Sequence, residues 1–223
     1  MCIRDSLWAM RADADNSAGA VRITANPAEE RRCAVSPDGR SLAFESDREG
    51  ARNIYIIPIR TDGATFEAGP ATRITTSDRA EGLGGFSADG KAILFAGDRS
   101  PSIHNAAKLY RVELIEENGA LRGGPVTELT SAFGSSPRPY SADGRSFLFT
   151  RNRAGLERPK YRGSGTQDVW LLRTTPASAP DAQPLADFTP VTQNAANDAE
   201  AFARPDGSVV FISSRDGQNN LWS

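Results

Sequence analysis

Acid–base or nucleophilic chemistry in this chain would have to be built around one imidazole. The 223 residues contain a single histidine, His104, in the run Ser100-Pro-Ser-Ile-His-Asn105. A serine or cysteine hydrolase needs a nucleophile, a base and an orienting group within hydrogen-bond reach. No Gly-x-Ser-x-Gly elbow is present to offer the serine. His104 therefore reads as a polar loop residue, and no catalytic residue is assigned. One histidine and two cysteines also exclude a multi-histidine metal site and a disulfide scaffold. Cys33 reads as a small buried apolar residue on an inner strand. Asp13-Ala-Asp-Asn-Ser-Ala-Gly19 invites comparison with a calcium loop, but its glycine is seventh rather than sixth and Thr24 stands where a bidentate Glu is required. It reads as a hairpin turn. No metal and no cofactor are expected.

The remaining candidate is basic. Arg151-Asn-Arg-Ala-Gly-Leu-Glu-Arg-Pro-Lys-Tyr-Arg162 carries Arg151, Arg153, Arg158, Lys160 and Arg162 against one acid, Glu157, with Tyr161 among them. Such a lip suits an acidic peptide or protein segment; a solvated insertion is the competing reading. The whole chain has a formal net charge of −2, which gives no global pull toward nucleic acid or an anionic membrane. One basic patch on that background does not make a nucleic-acid interface. No apolar run approaches the roughly 20 residues needed to span a bilayer, so no membrane insertion is expected.

The elements that position these residues repeat. Ser36-Pro-Asp-Gly39, Ser87-Ala-Asp-Gly90, Ser141-Ala-Asp-Gly144 and Arg204-Pro-Asp-Gly207 recur along the chain. Each is followed by an apolar run ending in phenylalanine: Leu42-Ala-Phe44, Ile93-Leu-Phe95, Phe147-Leu-Phe149 and Val209-Val-Phe211. An aliphatic–aromatic pair comes next: Ile54-Tyr55, Leu109-Tyr110, Val169-Trp170 and Leu221-Trp222, with Leu7-Trp8 as an extra copy. A strand ending in threonine closes each unit: Arg22-Ile-Thr24, Arg73-Ile-Thr75, Glu128-Leu-Thr130 and Asp187-Phe-Thr189. Asp-Gly supplies a self-bonding side chain and a residue free to take positive φ, which makes a hairpin turn. The flanking runs are short and rich in Ile, Val, Phe, Tyr and Trp, and no 3.6-residue period is sustained. Each unit thus predicts a four-stranded antiparallel meander, A to D, and meanders repeated at this period predict an all-β propeller.

Ser36-Pro-Asp-Gly-Arg-Ser-Leu-Ala-Phe-Glu-Ser-Asp-Arg-Glu-Gly50, with Asn53-Ile-Tyr55 and Arg73-Ile-Thr75, resembles the WD40-like (PD40) propeller repeat. That repeat occurs in TolB-like proteins and in the propellers of tricorn-type and prolyl-oligopeptidase-type peptidases. Arg204-Pro-Asp-Gly207 with Ser213-Ser-Arg-Asp-Gly217 is a second close match, and the copies at Ser87 and Ser141 are looser. The resemblance implies a non-catalytic scaffold that binds a protein or peptide. Its alternative is a substrate-gating propeller of a multidomain serine peptidase whose catalytic domain lies elsewhere. It also implies a periplasmic or extracellular location.

The count predicts a blade remnant at 7–24, whole blades at 29–75, 79–130 and 134–189, and a partial blade at 198–223, an incomplete ring of about four to five blades. Residues 1–6 fit none of this and read as a non-native leader. In a propeller the B–C and D–A loops surround the mouth of the central channel, where a rigid scaffold concentrates function. The B–C loops at about 97–107 and 151–166 are expanded relative to the one at Asp47–Arg52.

Overall fold

A computed structural model describes residues 6–11, 13, 19–62, 65–99, 107–152, 167–174, 186–194 and 196–223. Its described elements are eighteen strands. β1 (Trp8–Ala9) pairs with β2 (Val21–Arg22). A first blade holds β3 (Glu30–Val35), β4 (Ser41–Ser46) and β5 (Asn53–Thr61), with both β6 (Phe66–Ala68) and β7 (Thr72–Arg73) pairing β5. A second holds β8 (Glu81–Phe86), β9 (Ala92–Gly97), β10 (Lys108–Glu117) and β11 (Ala120–Phe133). A third holds β12 (Ser135–Pro139), β13 (Ser146–Asn152), β14 (Gln167–Thr174) and β15 (Ala186–Pro190), and a fourth β16 (Asp198–Ala203), β17 (Val209–Ser213) and β18 (Asn220–Trp222). All pairings are antiparallel meanders, and the inner strands β3, β8, β12 and β16 pack successively around one axis. The chain is an all-β, four-blade propeller.

The turns form as their chemistry demands. Gly39 sits at φ 71°, a conformation that a Cβ would strain. Asp38 Oδ1 accepts from the Arg40 amide at 3.0 Å and from Ser36 Oγ at 2.6 Å, while Ser36 Oγ accepts from the Ser41 amide at 2.9 Å. The same closed pattern recurs at Ser87/Asp89 and Ser141/Asp143. These bonds, and at Asp206 those from the Ser208 amide and hydroxyl, favour the ionised carboxylates and hold Asp38, Asp89, Asp143 and Asp206 below the usual carboxylate range.

Stacking of the blades follows from the period of two on the B strands. Ala43 faces forward into the core shared by the first two blades, where Ile93 and Phe95 face back. Leu94 faces forward against Phe147 and Phe149 of the third blade. Leu148 faces forward against Phe211 of the fourth. Each repeated phenylalanine therefore packs toward the preceding blade. The first blade's Leu42 and Phe44 pack toward Leu7 and Ile23 beside β1 and β2.

Two expectations are corrected. Cys33 is free and exposed, not buried. It lies opposite Phe44 in the ladder and so shares the face toward β1 and β2, where Val35 is also exposed. The closing threonine of the third blade is Thr192, not Thr189. Thr192 Oγ1 accepts from the Val169 amide at 3.0 Å, as Thr75 does from Ile54 at 3.0 Å and Thr24 from Leu7 at 2.8 Å. Thr189 is an exposed ladder residue opposite Leu171.

Candidate axial binding site

Every inner strand carries a bulge at the same place. Two residues oppose the repeated phenylalanine in β3 (Arg32, Cys33), β8 (Leu83, Gly84), β12 (Ser136, Pro137) and β16 (Glu200, Ala201), as the skipped register positions show. In three of these the first bulged residue has a left-handed backbone: Arg32 at φ 44°, Ser136 at 50° and Glu200 at 51°. Left-handed geometry costs a non-glycine residue roughly 1–2 kcal/mol and marks a position that the surroundings over-determine.

Those three side chains meet across the axis. Ser136 Oγ donates to Glu200 Oε1 at 2.7 Å. Arg32 Nη2 lies 3.5 Å from Glu200 Oε1, and Arg32 Nη1 is 3.4 Å from Ser136 Oγ. From β12, Arg138 Nη2 lies 3.6 Å from Glu200 Oε2, while Arg138 Nη1 donates to the Gly84 carbonyl. The Arg138 guanidinium also covers the Phe202 ring at 4.6 Å. Glu45, one past the first phenylalanine, adds a buried carboxylate: Arg32 Nε is 3.8 Å from its Oε1 and Arg52 Nη1 is 3.5 Å from its Oε2. Glu45 Oε1 also accepts from the Leu83 amide at 2.7 Å, which latches the first blade to the second. Thr150 makes the equivalent latch, accepting from the Glu200 amide at 3.3 Å.

Burial governs the electrostatics. It raises Glu45 above the usual glutamate range, against the opposing pull of the Leu83 amide and of Arg32 and Arg52. It lowers Arg138, against the pull of Glu200. Among the described residues, three guanidinium groups (Arg32, Arg52, Arg138) face two carboxylates (Glu45, Glu200), a surplus of positive charge on the axis. Arg32 is the accessible member, its side chain 46% exposed.

A collar of ion pairs surrounds the mouth. Glu30, Glu81 and Asp198 open three inner strands and are buried. Their partners are Arg48, Arg99 and Arg215, each four residues past the repeated phenylalanine. Each arginine also lies over that ring, Arg48 at 5.2 Å from Phe44, Arg99 at 5.2 Å from Phe95 and Arg215 at 5.0 Å from Phe211. The collar is structural: charge and ring lock each B strand to its own A strand. The third blade lacks the acid; Gly134 stands there, and a Cβ on it would come within 2.6 Å of the Phe149 ring.

Of the basic lip expected from sequence, Arg151 is described. It lies opposite Asp168 in the β13–β14 ladder and 5.3 Å over the Trp170 ring. Arg153, Arg158, Lys160, Tyr161 and Arg162 lie outside the described residues, as does His104. Of the Asp13–Gly19 run, Asp13 and Gly19 are described, and Asp13 pairs with Arg11 at 2.7 Å on the surface. The axial residues Arg32, Glu45, Ser136, Arg138 and Glu200 were not singled out by sequence. For all but Ser136 the signal was charge within a strand.

The family model described as the tricorn protease N-terminal beta propeller domain matches residues 1–223. Among solved structures, that of the putative TolB from Agrobacterium tumefaciens has a TM-score of 0.65 at 22% identity, covering 94% of this chain and 63% of that one. The tricorn protease crystal structure has a TM-score of 0.56 at 18% identity, covering 92% of this chain and 18% of that one. At these identities the likeness is one of fold, and the chain spans less than two thirds of the TolB structure it matches. No curated protein matches the sequence.

Proposed function

The chain belongs to the tricorn protease N-terminal beta-propeller domain family, and from that premise we propose that it is a non-catalytic propeller that binds protein or peptide segments at the mouth of its axis. The observation that carries this reading is the strained, positively charged axial cluster of Arg32, Ser136, Arg138 and Glu200, held by four packed blades. Rigid scaffolds with charge gathered in a concave mouth recruit flexible ligands without remodelling themselves. The preferred partner is acidic. The basic lip, Arg151, Arg153, Arg158, Lys160, Tyr161 and Arg162, is its outer contact. The family resemblance supports a periplasmic or extracellular location.

A second reading draws on the same family match. In it the propeller gates or filters substrates for a serine peptidase domain of a longer protein. Binding of an acidic, amide-capped peptide and of its neutral amide counterpart tests the binding function common to both readings. Selective retention of the acidic peptide, weakened when Arg153, Arg158, Lys160 and Arg162 are changed to Ser, is the expected result. Equal retention of both peptides by the unaltered and the substituted protein overturns the basic-lip proposal. Assaying cleavage of the bound peptide by the longest form of the protein then separates scaffold from gate.

A further inference from the structure

We propose that the axial cluster is a carboxylate site for the side chain of an aspartate or glutamate in the bound segment, and that Glu200 is its built-in competitor. The proposal rests on the peptide-binding reading above and names the anchoring group. Glu200 already occupies the site as a carboxylate would. It takes the Ser136 hydroxyl at 2.7 Å and stands between the guanidinium groups of Arg32 and Arg138. Its fit is nevertheless poor. At 3.5 and 3.6 Å both arginines lie outside the roughly 2.7–2.9 Å of a good charge-assisted hydrogen bond. Arg138 Nε is buried with no hydrogen-bond partner.

Geometry explains the mismatch. The Glu200 backbone is held at a strained φ of 51° and by the hydrogen bond that its amide donates to Thr150 Oγ1. That anchor limits where its carboxylate can reach, and it rests beyond bonding distance of both arginines. A carboxylate arriving on a flexible segment has no such tether. It can take both guanidinium groups at bonding distance, and Arg32 is exposed enough to meet it. The surplus positive charge of the cluster, with Arg52 engaged by Glu45, leaves capacity for one more anion. Among the described residues, the second blade contributes no polar side chain at this level. Its bulge residue, Leu83, is buried in the apolar core, so the polar wall is formed by the first, third and fourth blades.

The test uses the full chain labelled with nitrogen-15 and titrated with two amide-capped peptides that differ by one aspartate-to-asparagine exchange. The aspartate peptide is expected to shift the amide resonances of Arg32, Ser136 and Glu200, and free acetate to compete with it. Glu200→Gln keeps an oxygen for Ser136 and removes the competing charge; it is expected to tighten the aspartate peptide by about two- to fivefold, the effect of one exposed ion pair. Arg32→Gln is expected to weaken it by at least as much while its spectrum shows a folded protein. A merely structural Glu200 would give no gain in affinity on substitution. Peptide binding that is indifferent to Arg32→Gln and to acetate overturns the axial site but leaves the binding function standing. Aspartate and asparagine peptides bound equally overturn the carboxylate itself.

Discussion

Arg32 on the inner strand of the first blade and Glu200 on that of the fourth face each other at 3.5 Å, both from left-handed bulges at equivalent places in the repeat. The pair ties together blades that share no ladder, and it does so through side chains that are 46% and 31% exposed. Exposure at that level makes the contact weak in stability and open to ligands. Replacing both residues with Ala should give a coupling energy of about 0.2–1 kcal/mol in a double-mutant cycle, falling as salt rises. Urea unfolding of the two single variants and the double variant measures it. A coupling of several kcal/mol would make the pair a structural strut.

Glu45 should act against stability at neutral pH. Burial raises its folded pKa above the unfolded value, so the folded state binds the proton more tightly. Between the unfolded and folded values, stability then falls as pH rises, because the buried carboxylate must ionise. The turn aspartates Asp38, Asp89, Asp143 and Asp206 have the opposite sign. Their folded values are lowered, and their contribution is lost as pH falls through those values. Glu45→Gln keeps an acceptor for the Leu83 amide and should remove the falling slope above the ordinary carboxylate range. Melting temperatures collected from pH 4 to 8 on both proteins check this; parallel curves would contradict it.

Gly123 should not tolerate a side chain. A Cβ there would sit 1.9 Å from the Ile74 carbonyl, where β11 of the second blade crosses the end of the first. Backbone cannot give way as a flexible side chain does, so Gly123→Ala should cost about 1–3 kcal/mol, the usual range for overpacking. Gly119, in the Asn118-Gly119 turn of the same hairpin at φ 75°, has no atom within 4 Å of its Cβ position. Its substitution should cost only the roughly 1–2 kcal/mol of left-handed strain. Structures of the two variants separate the mechanisms: displaced strands in the first, an altered turn in the second.

The blades were legible because each repeated feature acts locally. Asp-Gly turns close on their own side chains, and alternation along four or five residues sets which face is buried. The axial cluster was not legible in the same way. Arg32, Ser136 and Glu200 belong to three different blades, and a bulge of one residue decides where each side chain points. Cys33 fell to the same device: one bulge places it opposite Phe44, on the face toward β1 and β2, where it is exposed. The collar sits between these cases. The spacing from phenylalanine to arginine is visible in Phe44/Arg48, Phe95/Arg99 and Phe211/Arg215, but the acids it serves lie on the preceding strand.

The closing threonine separates pattern from function most cleanly. A strand ending in Thr189 matches the repeat by eye, whereas Thr192 makes the bond that defines it, accepting from the Val169 amide at 3.0 Å in a buried setting. Thr192→Val preserves shape and leaves that amide without its side-chain acceptor. The expected loss is about 1–3 kcal/mol, the cost of stranding a buried donor. Thr189→Val lies on an exposed face and should change stability by no more than about 0.5 kcal/mol. Chemical denaturation of the two variants compares them directly, with Thr75→Val as the positive reference because Thr75 holds the Ile54 amide in the same way. Equal costs at 189 and 192 would mean that the repeat is closed by strand pairing alone, with the hydroxyl contributing nothing.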